Sequence, residues 1–163
     1  MKNSQEKEAA FNSLIKENSR IINSVCYFYS SENLSFEDIR QEVYINIWNG
    51  LNHFRSESKV STWVYRVAIN TALMSIRTNK RKINTAPIDT SLLNISQEID
   101  NSKQDKLETL NSLIERLDEI EKAIILLWLD EYSYEEIAET MGLKKSNVAT
   151  MIYRIKEKLS KLK

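Results

Sequence analysis

Gly142 constrains this chain more than any other residue. It is one of only two glycines in 163 residues, and it separates two segments that each repeat apolar residues at helical spacing. Ile137, Ala138 and Met141 form the first stripe; Val148, Ile152, Ile155 and Leu159 form the second. Ser133, with Glu136 three residues on, makes a capping box for the first helix. Ser146 offers a cap for the second. Gly142 suits the left-handed turn position that a residue with a Cβ resists. Ala138 lies four residues before the glycine and Val148 six after it, so a small residue permits a close crossing and a branched one fills it. That is the spacing of a helix-turn-helix, whose second helix enters a DNA major groove. An ordinary helical hairpin is the competing reading, and charge weighs against it. Lys144 to Lys163 has seven basic residues and one acidic, an excess that phosphates call for and packing does not.

The rest of the composition points the same way. Two glycines and one proline argue against a turn-rich β fold, and long stretches of helical period argue for an all-α one. Lone Cys26 sits among apolar residues and reads as a buried structural thiol. One His and one Cys give no zinc set, and no other metal or cofactor site is visible. No signal peptide and no apolar run of membrane length stand out, so the expected setting is the cytoplasm, without membrane insertion. Net charge is zero, yet Lys59 to Lys82 has six basic residues and no acid, the second cationic segment on an otherwise acidic chain. Two separated cationic segments suggest two nucleic-acid contacts, with acidic faces left for a protein partner.

Along the chain, Phe11 to Phe28 suits one long helix or a broken pair, and Ser30 to Ser35 a turn. Ser35 caps a helix carrying Phe36, Ile39, Val43, Ile47 and Trp48 on its apolar side, which ends at Gly50. A polar loop follows, and a further helix is expected from Thr62 to about Lys82 with a stripe of Trp63, Val67, Ile69 or Asn70, Leu73 and Ile76. Residues 83–106 lose the period and contain the only proline, so they read as a flexible linker between two small helical domains, 8–82 and 107–163. Leu107, Leu110, Leu113, Ile114, Leu117 and Ile120 open the second domain, and Ala123 to Leu129 form its core helix.

Phe36 to Lys82 resembles the conserved second region of bacterial sigma factors of the extracytoplasmic-function group, and Leu117 to Leu159 resembles their fourth region. The QEV helix, the TWVYRVAINTA segment, the order of the parts and the linker carry the likeness. It implies a subunit that binds core RNA polymerase, recognises −10 and −35 promoter elements and opens the DNA, under the control of an anti-sigma partner. For polymerase docking it points to Asp38, Gln41, Glu42, Ile45 and Trp48. For the −10 element it points to Phe54, Arg55, Ser56 and Lys59 in the loop and to Arg66, Asn70, Arg77, Lys80 and Arg81 on the helix, with Lys82 beside them. Catching an unstacked base needs an apolar wall, hydrogen-bonding groups and cations, and this set supplies all three. For the −35 element the positions are Lys145, Ser146, Asn147, Thr150, Tyr153, Arg154 and Lys156. Here the chain departs from the family, with Ala149 and Met151 at positions that are commonly basic. The resemblance also has the linker thread the polymerase toward its active centre; a mere tether is the other reading.

No nucleophile with a placed base and no glycine-rich phosphate loop are present, and His53 reads as a loop residue, so an enzyme is not expected. The rival function is a stand-alone helix-turn-helix regulator that binds an operator as a dimer. Only one aromatic of a possible strand-melting pair stands in the −10 segment, so opening is expected to depend strongly on promoter sequence. Permanganate footprints should weaken on mismatched −10 sequences; equal footprints on matched and mismatched templates would contradict this.

Overall fold

The computed structural model describes residues 3–85 and 101–162. The helices are α1 (Ser4–Glu17), α2 (Ser19–Tyr29), α3 (Phe36–Gly50), α4 (Val60–Thr85), α5 (Asn101–Ile114), α6 (Glu119–Leu129), α7 (Tyr134–Met141) and α8 (Lys145–Lys161). A short 3-10 turn, Leu51–His53, follows α3 and contains His53. Among the described residues no β-strand is present, in keeping with the all-α expectation.

Polar side chains set the breaks. Where α1 ends and α2 begins, the Leu14 carbonyl accepts twice from buried Asn18, from its backbone N–H at 3.1 Å and from its side-chain amide at 2.9 Å. Ser31 and Leu34 exchange backbone hydrogen bonds across the turn into α3, and the Ser35 hydroxyl accepts from the Asp38 amide at 3.1 Å. Asp118 and Ser133 both make reciprocal capping boxes, with Glu121 and Glu136 respectively. Gly142 takes φ 67°, the left-handed value that the sequence requires of it. The Ser146 cap does not form. The helix begins two residues earlier than that cap allows, with Lys144 in the N-cap position and no side-chain cap bond, so Ser146 lies inside the first turn.

Ile22, Val25 and Cys26 of α2, Ile39, Val43 and Ile47 of α3 and Val64, Ala68, Ile69 and Ala72 of α4 form the N-terminal core. Burial pushes the Cys26 thiol up to about 11, as befits a structural cysteine. The stripe expected on α4 is displaced. Trp63, Val67, Leu73 and Ile76 are half-buried, while Val64, Tyr65, Ala68 and Ala72 are fully enclosed. The reason is that α4 has two packed sides: α2 and α3 cover one, and α7 covers another. The helix also starts at Val60 rather than Thr62 and continues to Thr85. In the C-terminal half Ala123 to Leu127 are all buried, because a helix that is apolar all round belongs in a core. Ile120 is an exception to the expected apolar set, at 40 % exposure.

The two halves dock on one another. Tyr65 is wholly buried, its hydroxyl donates to Asp130 Oδ2 at 2.7 Å, and its ring meets Tyr132 edge-on at 5.3 Å. Arg20 Nη2 lies 3.6 Å from Asp130 Oδ1. The Tyr29 hydroxyl donates to the Glu119 carbonyl, and the Asn111 amide donates to the Tyr27 hydroxyl at 2.8 Å. Burial first, and then the neighbouring acids, push both the Tyr29 and Tyr65 hydroxyls above their ordinary range, so both act as neutral donors. Helical structure enters the expected linker from both ends, through Thr85 and from Asn101; residues 86–100, and with them the threading role, lie outside the described residues.

No atom lies within 4 Å of a Cβ added at Gly142, so substitution there meets only backbone strain. Gly142→Ala is expected to destabilise the fold by about 1–2 kcal/mol, read as a lower urea midpoint with an unchanged slope. An unchanged midpoint would contradict the left-handed assignment.

Candidate nucleic-acid interface

One candidate face is built where α3 passes into α4. A Cβ at Gly50 would lie 2.9 Å from Trp63 Cζ2, so the indole rests directly on the glycine. Phe54 packs on the same indole, with ring centroids 5.1 Å apart. Ser56, at the tip of the loop, takes φ 58°, an uncommon conformation for a residue with a side chain. A recess of about 330 Å³ opens here, lined by Phe54, Arg55, Trp63 and Arg66 and, from the C-terminal half, Glu139. Aromatic walls beside guanidinium groups suit an unstacked base and its phosphate. Trp63, read from sequence as core, is half-buried and turns part of its ring to this wall.

The polar groups of this face divide into two sets. Arg55, Asn70, Arg77 and Arg81 are exposed. Lys59, Arg66 and Lys80 are engaged by the other half of the chain. Lys59 Nζ lies 2.7 Å from Glu136 Oε1, and Lys80 Nζ lies 3.1 Å from Glu119 Oε1. Arg66 Nη2 donates to the Glu139 carbonyl at 2.6 Å and Nε to the Thr140 carbonyl at 3.3 Å. Those carbonyls belong to the last turn of α7, the negative end of its dipole. The Lys80 hydrogen bond holds the Glu119 carboxyl below its usual range, and the Glu136 bond raises the Lys59 ammonium.

The second face lies on α8. Val148, Ile152 and Ile155 turn inward, which leaves Lys145, Ser146, Asn147, Thr150, Tyr153, Arg154 and Lys156 exposed on the outside. Ser146, Asn147, Thr150, Tyr153 and Arg154 follow at one-turn intervals and share a side. Several are tied in place. Lys145 pairs with Glu135 and keeps that carboxyl low, Tyr153 donates to Glu157 at 3.0 Å, and Lys156 sits 4.1 Å over the Trp128 ring. Ala149 and Met151, which stand at commonly basic positions, are half-buried, and Met151 packs on the core. Met151 covers apolar surface here, a packing role that the sequence alone did not reveal.

A third surface is acidic and apolar. Asp38, Gln41, Glu42 and Ile45 line up along exposed α3. Beside them a groove of about 440 Å³ is bordered on α4 by Met74, Ser75 and Thr78, with Met74 60 % exposed. Met74 was missed by sequence reasoning; its signal was an unpaired apolar residue on the polar side of α4. Trp48 is not part of this strip. It is half-buried, meets Phe11 edge-on at 5.3 Å and lies under the Lys7 ammonium at 4.2 Å, because the helical repeat turns it toward α1.

The family described as Sigma-70 region 2 matches residues 14–82, and that described as Sigma-70, region 4 matches residues 107–159. The chain is 31% identical over 132 residues to the RNA polymerase sigma factor YlaC of Bacillus subtilis, covering 77% of this chain and 75% of the relative. It is 30% identical over 138 residues to the ECF RNA polymerase sigma-E factor of Escherichia coli K12, covering 74% and 69%. The chain belongs to the extracytoplasmic-function sigma factors. Two solved structures share the fold of this sigma factor at 19% identity. They are CnrH in complex with the cytosolic domain of CnrY (TM-score 0.68, 95% of this chain, 88% of that one), and RpoE of Bartonella quintana in complex with the anti-sigma factor NepR (TM-score 0.66, 90% and 94%). No helix among the described residues is long and apolar enough to cross a membrane, and none of their acidic, His and Cys groups could hold a metal ion.

The Lys59 hydrogen bond, followed by the Ser133 amide, holds the Glu136 carboxyl at about 2 against an ordinary 4.5. A carboxyl lowered by folding adds stability that is complete above its unfolded pKa and lost as pH falls through the folded one. The wild-type sigma factor should therefore melt above Glu136→Gln at neutral pH, and the gap should close between about pH 5 and pH 2. A gap that persists unchanged at the acid end would contradict the pairing.

Proposed function

We propose that this sigma factor docks on core RNA polymerase through Asp38, Gln41, Glu42 and Ile45 of α3, and that Trp48 supports the strip from behind. Residues 8–82 then form the polymerase- and −10-binding unit, 107–163 the −35 unit, and 83–106 the connection. In the −10 unit Phe54 and Trp63 wall the recess for a base that has left the stack. Asn70 meets a base edge, and Arg55, Lys59, Arg66, Arg77, Lys80 and Arg81 meet phosphates. In the −35 unit α8 lies in the major groove. Asn147 suits an adenine edge, and Arg154 a guanine or a phosphate. The work is binding and strand separation, with no chemical step of its own, and its setting is the cytoplasm. An anti-sigma protein is the expected regulator, in line with the two structural neighbours described as bound to such partners or to a cytosolic domain.

The observation that carries this reading is the separation of three surfaces: two cationic faces on α4 and α8, and one acidic-apolar strip on α3. A stand-alone operator-binding regulator would need only the α8 face. Reconstitution with core polymerase distinguishes the two. Specific run-off transcription should need both the polymerase and this protein, and the protein alone should give no promoter-specific initiation. Arg154→Ala should weaken −35 binding by about 1–3 kcal/mol, and Asn70→Ala should weaken −10 recognition by a similar ~1–3 kcal/mol. Unchanged promoter affinity would remove the residue concerned from the interface.

A further inference from the structure

The chain's other glycine stands at the end of α3, close to the start of α4. Gly50 has φ −76° and ψ −19°, a helical conformation open to every residue with a side chain. Its backbone therefore asks for no glycine, and alanine would favour the helix there. What glycine supplies is close approach. A Cβ at position 50 would lie 2.9 Å from Trp63 Cζ2 and 3.6 Å from Cη2. The backbones on both sides of this contact are anchored. Ile47, one turn before Gly50, is buried completely, and Thr62 and Val64, which flank Trp63, are buried to within 1 %. Trp63 itself is half-buried, so its indole is the part that can give way. The same ring walls the recess of about 330 Å³ that Phe54, Arg55 and Arg66 also line. Gly50 is not among the lining residues, so the indole stands between the glycine and the recess.

We propose that Gly50 is a positioning residue for −10 recognition: by lacking a Cβ it lets the Trp63 indole lie back against α3, and so keeps the recess wide enough for a base. The inference rests on the −10 reading made above and adds to it the residue that sets the size of the recess. A methyl group at position 50 drives the indole off α3 and into the recess. Phe54, whose ring centroid lies 5.1 Å from that of Trp63, must shift with it. The phosphate contacts assigned to Arg77 and Arg81 lie several turns further along α4 and are untouched, so the defect is confined to the fit of the base.

The test uses the full chain at saturating core polymerase. The probes are fluorescent single strands carrying the −10 element of a promoter transcribed in the run-off assay, either intact or with an abasic sugar at one position in turn. With the unaltered protein, one of the abasic strands should bind markedly more weakly, which identifies the captured base. No loss at any position would overturn the −10 reading, and the role of Gly50 with it. Gly50→Ala should weaken binding of the intact strand at least fivefold, and of the strand abasic at the captured position less than twofold, because that strand has no base to fit. Equal losses on the two strands would mark a general structural defect and overturn the positioning role while leaving the −10 reading in place. Full affinity of Gly50→Ala for the intact strand would do the same. Trp63→Phe removes the Cζ2–Cη2 edge that the added methyl meets. Gly50→Ala placed on that background should therefore cost less than a further twofold, a comparison that also serves if Gly50→Ala alone folds poorly. A larger further loss would show that the glycine does not act through the indole.

Discussion

The contact of Tyr65 with Asp130 is the hinge on which the arrangement turns. A phenol buried to completion must find an acceptor, and α4 supplies one by docking against the end of α6. That single bond places α4 between two partners. Its apolar side closes the N-terminal core with α2 and α3, and its opposite edge meets α7. The edge carries Arg66, and Lys59 just precedes it, so the same docking that satisfies Tyr65 brings DNA-type cations onto the acids and carbonyls of the C-terminal half.

Charge explains why a chain of zero net charge behaves as a nucleic-acid protein. Its cations are concentrated in two segments, and its acids are dispersed over the rest. In the folded chain that segregation is used twice. On α8 Lys145 and Lys156 lie on the exposed side, steadied by Glu135 and the Trp128 ring respectively, while Lys158 pairs with Glu121 of α6. On α4 some face outward and some inward to the chain's own acids. The acidic strip on α3 lies apart from that docking: Asp38, Gln41 and Glu42 meet no cation of the C-terminal half among the contacts of the described residues.

What was legible in the sequence was local. The capping box at Ser133, the left-handed Gly142 and the stripe on α8 are each decided within one or two turns of helix, so residues close in sequence determine them. The exposed strip of Asp38, Gln41, Glu42 and Ile45 and the outward set on α8 follow from the same periodicity. What failed depended on distant partners. The α4 stripe was displaced because α7, far along the chain, covers its second side, and periodicity in one helix does not reveal how many faces are packed. Trp48 was drawn to Phe11 for the same reason, and Met151 packs on the core. The docking of the halves left only a faint trace, the single Tyr65 among otherwise aliphatic core positions of α4.

The proposed assignment makes α4 and α8 two DNA-reading helices that act together once polymerase holds them. Photocrosslinking from positions 70 and 154 in an initiation complex measures this directly. A photoreactive residue at position 70 should map to the non-template strand of the −10 element, and one at 154 to duplex at the −35 element, with the paired pattern present only when core polymerase is added. Both crosslinks falling on one element, or the same paired pattern forming without polymerase, would contradict it.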